Sequence, residues 1–112
     1  MPDALVVWTN PVPGRDAEYN AWYNDIHLPE VLAVPGYVAA TRYELSPEPR
    51  RMPGVEEYVP AQRYLAIYEL EEGADHRKAW DALNAARAGF RMSDDLGDAM
   101  AAIFSQRFTL RR

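Results

Sequence analysis

The sequence predicts an α+β domain, a four-stranded antiparallel sheet with two helices on one face. Three observations carry that expectation. Four short runs are rich in β-branched, aromatic and aliphatic residues, as strands are. Two longer runs set apolar residues at helical spacing. The runs follow the order strand, helix, strand, strand, helix, strand, with proline and glycine as punctuation between most of them.

Asp3 to Asn10 is the first strand. Its Leu5, Val6, Val7 and Trp8 are apolar at every position, which predicts cover on both faces. Helices can supply one cover and a second subunit the other. A turn with Pro11, Pro13 and Gly14 leads to a helix over about Arg15 to His27. Asp16 and Glu18 stand in its first turn, where negative charge suits the macrodipole. Tyr19, Trp22, Tyr23 and Ile26 fall on one face, with Asn20, Asn24 and His27 beside it. Pro29 is expected to end this helix, with one further turn over Glu30 to Ala33 if Pro29 takes a first-turn position.

After Val34-Pro35-Gly36, Tyr37 to Leu45 is the second strand. Its odd positions (Tyr37, Ala39, Thr41, Tyr43, Leu45) are expected to face the core and its even positions to face away. Ser46 to Pro60, with four prolines, Arg50, Arg51, Glu56 and Glu57, reads as a long solvated loop. Arg63 to Leu70 is the third strand and pairs with the second as a hairpin. Ala74 to Ala88 is the second helix, with Ala79, Trp80, Leu83 and Ala86 or Arg87 inward and Gly89 just past its end. Ser93 suits an N-cap for a short helical turn, and Met100 to Leu110 is the last strand. This βαββαβ order is the ferredoxin-like plan.

At 112 residues the chain makes one domain, with a core of moderate size. A net charge of −5 disfavours nucleic acid and anionic membrane surfaces as partners, since both select clustered Lys and Arg. The absence of cysteine excludes disulfides, thiolate nucleophiles and zinc-thiolate sites. No leader and no apolar stretch near the length of a membrane span can be read, so a cytoplasmic protein is expected.

Trp22-Tyr23-x-x-x-His27-x-Pro29, then Val34-Pro35-Gly36-Tyr37, a strand ending in Arg42-Tyr43, and Arg63-Tyr64-Leu65-Ala66-Ile67-Tyr68-Glu69 resemble the EthD-like branch of the dimeric α+β barrel proteins. The resemblance covers about Val6 to Leu70, and beyond Glu71 it rests on element order. It implies a homodimer in which the open sheet faces of two subunits close a barrel. It also implies a pocket between helices and sheet. The wider superfamily holds cofactor-free monooxygenases, isomerases, dehydratases and haem-binding proteins, so the fold does not select a reaction.

His27 is the candidate catalytic residue, because an imidazole can move a proton near neutral pH. Asn24, three residues earlier, is positioned to hydrogen-bond a substrate oxygen. Asp25 lies about 200° around the helix from His27, so it is not expected to orient the ring. Glu30 can orient it if the helix continues past Pro29. The competing role for His27 is a cap on the last carbonyls of its helix. Trp22, Tyr23, Tyr37, Tyr43, Tyr64 and Tyr68 make either core or the wall of a pocket for a small planar aromatic ligand, and Tyr23 and Tyr68 are the candidate substrate-binding tyrosines. Arg42, Glu44, Glu69 and Arg107 are assigned to sheet faces away from the helices, where they pair across a subunit interface or bind a carboxylate.

His27 and His76 stand on different helices without a metal-ligand spacing, so no metal is expected. Haem-binding relatives in the superfamily leave haem ligation by His27 open as an analogy, but the motif around His27 differs from theirs, and no cofactor is expected. Nucleotide-binding glycine loops and the Gly-x-Ser-x-Gly elbow are absent from the chain. Two functions follow. One is an enzyme acting on an aromatic or polyketide-like molecule by isomerisation, dehydration or cofactor-free oxidation. The other is a non-catalytic binding or accessory protein in which His27 is structural.

Overall fold

The computed structural model describes residues 2–48 and 52–112. Strand β1 (Ala4–Pro11) is followed by α1 (Asp16–Trp22), a π-helical turn (Tyr23–His27) and α2 (Leu28–Leu32), which run on as one bent helix. Then come β2 (Tyr37–Glu44), β3 (Tyr64–Leu70), α3 (His76–Ala86), a 3-10 turn (Arg87–Gly89) and β4 (Leu96–Phe104). The sheet order is β2-β3-β1-β4, with β1–β3, β1–β4 and β2–β3 all antiparallel. This is the strand order of the ferredoxin-like plan, as the sequence predicts. Arg50 and Arg51 of the long loop lie outside the described residues.

The core lies between the helices and one sheet face. Leu5 and Thr9 of β1 and Tyr64, Ala66, Tyr68 and Leu70 of β3 point into it and are buried. Tyr19, Trp22, Tyr23 and Val31 meet them from the first helix, and Ala79 and Leu83 from α3. Five buried tyrosines bring their hydroxyls into this core, and each takes part in at least one hydrogen bond. Tyr19 bonds Thr9, Tyr37 donates to the carbonyl of Ala79 at 2.7 Å, and Tyr64 donates to Asp16 at 3.1 Å.

The opposite sheet face is open and largely apolar. Cross-strand rows run Ala102–Val6–Ile67–Thr41 and Met100–Trp8–Leu65–Tyr43. Trp8 packs edge-on against Phe104 there, with ring centroids 6.2 Å apart. Tyr43, Met100 and Phe104 are each more than half exposed.

Two irregularities depart from the sequence pattern. Pro29 does not end the first helix, because the chain widens into a π turn just before it. The amide of Leu28 donates to the carbonyl of Tyr23, five residues back instead of four. That extra residue brings Pro29 in at the start of α2, where its missing N–H costs no bond, and α-helix resumes to Leu32. In β2, one extra residue enters the ladder between Tyr37 and Ala39. Tyr37 pairs with Leu70, yet Ala39 pairs with Glu69. The bulge reverses the parity of everything after it.

Ala40, Arg42 and Glu44 therefore face the helices, opposite Tyr68, Ala66 and Tyr64. Thr41 and Tyr43, expected in the core, turn to the open face and are exposed. The assignment of Arg42 and Glu44 away from the helices is thus corrected.

Smaller corrections follow the same physical accounting. The last strand starts at Leu96 and ends at Phe104, and residues 105–112 form no ladder. Ser93 caps no helix, and its hydroxyl accepts the amide of Asp95 in a turn that feeds β4. Asp75 caps α3 by accepting the amide of Lys78 at 3.0 Å. Gly36, at φ +100°, makes the turn into β2 that other residues rarely adopt. Trp80, expected inward, is exposed, while Ala79 and Leu83 form the inner face of α3.

Candidate functional site

A cavity of about 280 Å³ lies between α1, the π turn, α3 and the helix-covered sheet face. Leu5, Val7, Tyr68 and Leu96 form its floor, and Trp22, Tyr23 and His27 form one wall. Trp80, Asn84 and Arg87 line it from α3 and the turn that follows. Asn84 and Arg87 are exposed, so they stand at the rim. The remaining lining is mostly apolar, as small-molecule sites generally are.

His27 is held by rings on three sides. It stacks on Trp22 with centroids 4.7 Å apart and 22° between planes. Tyr23 meets it edge-on at 5.0 Å and Phe90 at 5.8 Å. Nδ1 faces Glu30 Oε1 at 3.9 Å, and both atoms are sealed from solvent without a hydrogen-bond partner among the described residues. Nε2 is not sealed in this way, and His27 lines the cavity. Burial pushes the His27 pKa down to about 4, with Arg87 acting in the same direction and Glu30 opposing both. The ring is neutral at pH 7.

The π turn makes the His27–Glu30 pairing possible. Because the helix continues past Pro29, Glu30 sits three residues on and on the same side as His27. His27 caps no carbonyl, because the helix does not end there. The structural-cap role expected as the alternative is corrected on that ground.

Arg91 locks this wall in place through its backbone alone. Its amide donates to Glu30 Oε2 at 2.7 Å, and its carbonyl accepts from Trp22 Nε1 at 2.7 Å. This double tie fixes one Glu30 oxygen and one face of Trp22. It also seats Phe90 against His27 and Met92 in the cavity lining.

Of the residues singled out by sequence, Tyr23, His27 and Tyr68 are brought together around the cavity. The Tyr68 hydroxyl donates to the Tyr23 hydroxyl at 3.5 Å. Burial pushes the pKa of both phenols up, so both stay protonated at neutral pH.

Asn24 is not part of the site. It is exposed, and its Oδ1 accepts from Arg42 at 2.8 Å. Arg42 itself lies among the faces of Tyr19, Tyr23 and Tyr64, at 5.3, 4.3 and 5.4 Å from the ring centroids. Its second anchor is Asn20 Oδ1 at 2.9 Å.

Sequence reasoning missed the Arg91 clasp, since a backbone amide carries no residue signature. It also missed Arg42, whose direction depends on the bulge. Among the described residues, no group of three or more His, Asp or Glu side chains is placed to hold a metal ion. No described helix is long and apolar enough to cross a membrane. Neither a protein-family model nor a curated protein nor a solved structure matches the chain.

Proposed function

We propose that this chain is an EthD-like subunit whose cavity binds a small aromatic or polyketide-like molecule, and that His27 acts on it as a general base oriented by Glu30. The observation that carries this reading is the His27–Glu30 pair at the cavity wall. A carboxylate facing Nδ1 selects the tautomer with the proton on Nδ1 and leaves the Nε2 lone pair for substrate. The 3.9 Å separation is long for a hydrogen bond, and such contacts commonly tighten when a ligand fills the site. The imidazolium formed after proton transfer gains the Glu30 carboxylate as counter-charge, which offsets part of the burial cost.

The open apolar sheet face favours pairing of two copies into a dimeric α+β barrel. Contiguous exposed apolar side chains such as Tyr43, Met100 and Phe104 mark interaction surfaces more often than bare monomer surface. The reaction belongs to the proton-transfer classes of isomerisation, dehydration or cofactor-free oxidation.

The test is a panel of planar aromatic and polyketide-type compounds, read by the His27 ring nitrogens in NMR and by thermal shift. A binding compound moves the Nε2 resonance and raises Tm. His27→Gln keeps the binding and lowers any turnover by about 10²–10⁴-fold. A His27 ring that stays silent to compounds that do bind would remove its catalytic role. Sedimentation at micromolar concentration tests the pairing separately, and a monomer there sinks the barrel.

A further inference from the structure

The two tyrosine hydroxyls in the cavity carry one more proton than their mutual contact uses. Tyr23 and Tyr68 each own one O–H, and a single hydrogen bond joins them, with Tyr68 as donor. Tyr23 donates to no acceptor among the described residues. Its ring is buried and lines the cavity, so a ligand there can supply the acceptor that its spare O–H lacks. Its ring centroid lies 5.0 Å from that of His27. One largely apolar cavity thus offers an unspent hydrogen-bond donor beside an unspent imidazole lone pair, with no carboxylate among its described lining residues.

We infer that the substrate is a neutral carbonyl compound whose oxygen is bound by the Tyr23 hydroxyl while His27 Nε2 removes a proton from the adjacent carbon. The inference rests on the base role proposed for His27 and specifies what that base acts on. A carbonyl oxygen is an acceptor without a proton of its own, which matches a lone O–H donor. A carboxylic acid or phosphate fits poorly, because the deep lining presents apolar groups and the one arginine among the described lining residues, Arg87, lies at the rim.

In the step, the C–H electron pair becomes the new C=C bond. The C=O π pair moves onto oxygen, where the Tyr23 O–H stabilises the enolate charge. The proton resides on Nε2 and returns to the same carbon or to one conjugated with it. No oxidant or reductant is consumed.

The experiment uses 2-tetralone, a compact aromatic ketone with acidic α-protons, in D₂O, with exchange followed by proton NMR. Tetralin, the hydrocarbon without the carbonyl, serves as the binding control. The full chain is expected to exchange the α-protons faster than buffer, and His27→Gln is expected to return the rate to buffer. Tyr23→Phe should slow exchange by about 100-fold, the usual loss for one oxyanion donor, while tetralin binding stays unchanged. Tyr68→Phe removes the bond to Tyr23 but leaves the Tyr23 donor, so it should slow exchange less than Tyr23→Phe does.

Wild-type exchange retained in Tyr23→Phe overturns the carbonyl-binding role of Tyr23 and leaves the His27 proposal standing. Loss in Tyr68→Phe with none in Tyr23→Phe overturns the assignment to Tyr23. Binding of both probes without exchange overturns the inference and the base role together. Failure of either probe to bind overturns the aromatic-cavity reading itself.

Discussion

The guanidinium of Arg42 lies 4.3 Å from the centroid of the Tyr23 ring, and Tyr23 in turn meets His27 edge-on at 5.0 Å. A strand residue on the helix-covered face thereby braces the tyrosine that walls the cavity. The charge is shared among three rings and two asparagine oxygens, with no carboxylate bonded to it among the described residues.

Replacing Arg42 by Met should cost about 1–3 kcal/mol of stability, from cation–π contacts of about 0.5–2 kcal/mol each and two charge-assisted hydrogen bonds. Because Arg42 holds the Tyr23 phenol down against burial, its loss should raise the Tyr23 pKa further. Urea unfolding measures the first effect and NMR of the tyrosine ring carbons the second. Arg42→Lys keeps the charge and loses the planar fork, so it should fall between the two. Equal stability of Arg42→Met and wild type would contradict the bracing role.

Stability should fall on acidification through His27. Its pKa is about 4 when folded, against an ordinary 6.5, so the unfolded chain takes up a proton first. The contribution is complete above about pH 6.5 and is lost as pH falls towards 4, by at most about 3 kcal/mol. The difference in urea midpoint between wild type and His27→Gln, followed from pH 7.5 to 4.5, isolates this term. A difference that does not change with pH would contradict the buried neutral ring.

Gly97 opens β4 where it passes close to β1. A Cβ built there would lie 2.8 Å from the carbonyl oxygen of Asn10 and 3.1 Å from that of Pro11. Backbone cannot yield as a side chain does, so Gly97→Ala should destabilise by about 1–3 kcal/mol. Gly89→Ala, which meets nothing within 4 Å, should be neutral or slightly stabilising. Thermal unfolding of the two variants provides the comparison, and equal melting temperatures would refute the close approach.

The bulge at Val38 gives a further test. Its side chain is more than half exposed, so Val38→Ala should stay within about 0.5 kcal/mol of wild type. Deleting Val38 removes the extra residue while leaving Tyr37 opposite Leu70 and Arg42 opposite Ala66, so it should cost no more than about 1 kcal/mol. A deletion variant that loses more than about 3 kcal/mol would contradict the reading of Val38 as the extra residue of the ladder.

Element order and the inner face of β3 were legible because alternation and helical spacing are local signals. Tyr64, Ala66, Tyr68 and Leu70 face inward as their period demands. The parity of β2 was not legible, because Val38 is an ordinary strand residue with nothing in its chemistry to mark an insertion. Pro29 signalled a break in the helix, and the helix instead absorbed it by widening one turn. That one change turned Glu30 from a conditional partner of His27 into its neighbour. The tie through Arg91 is made by peptide groups, which every residue except proline carries, so only folded geometry reveals it.

The stack of Trp22 on His27 makes the pocket its own optical gauge. A protonated imidazole quenches the emission of an indole it covers, and a neutral one does so far less. With Trp8 and Trp80 replaced by Phe, emission from Trp22 would report the charge on His27 continuously and without a label. Anything that enters the cavity and gives up a proton to that ring would announce itself as a loss of light.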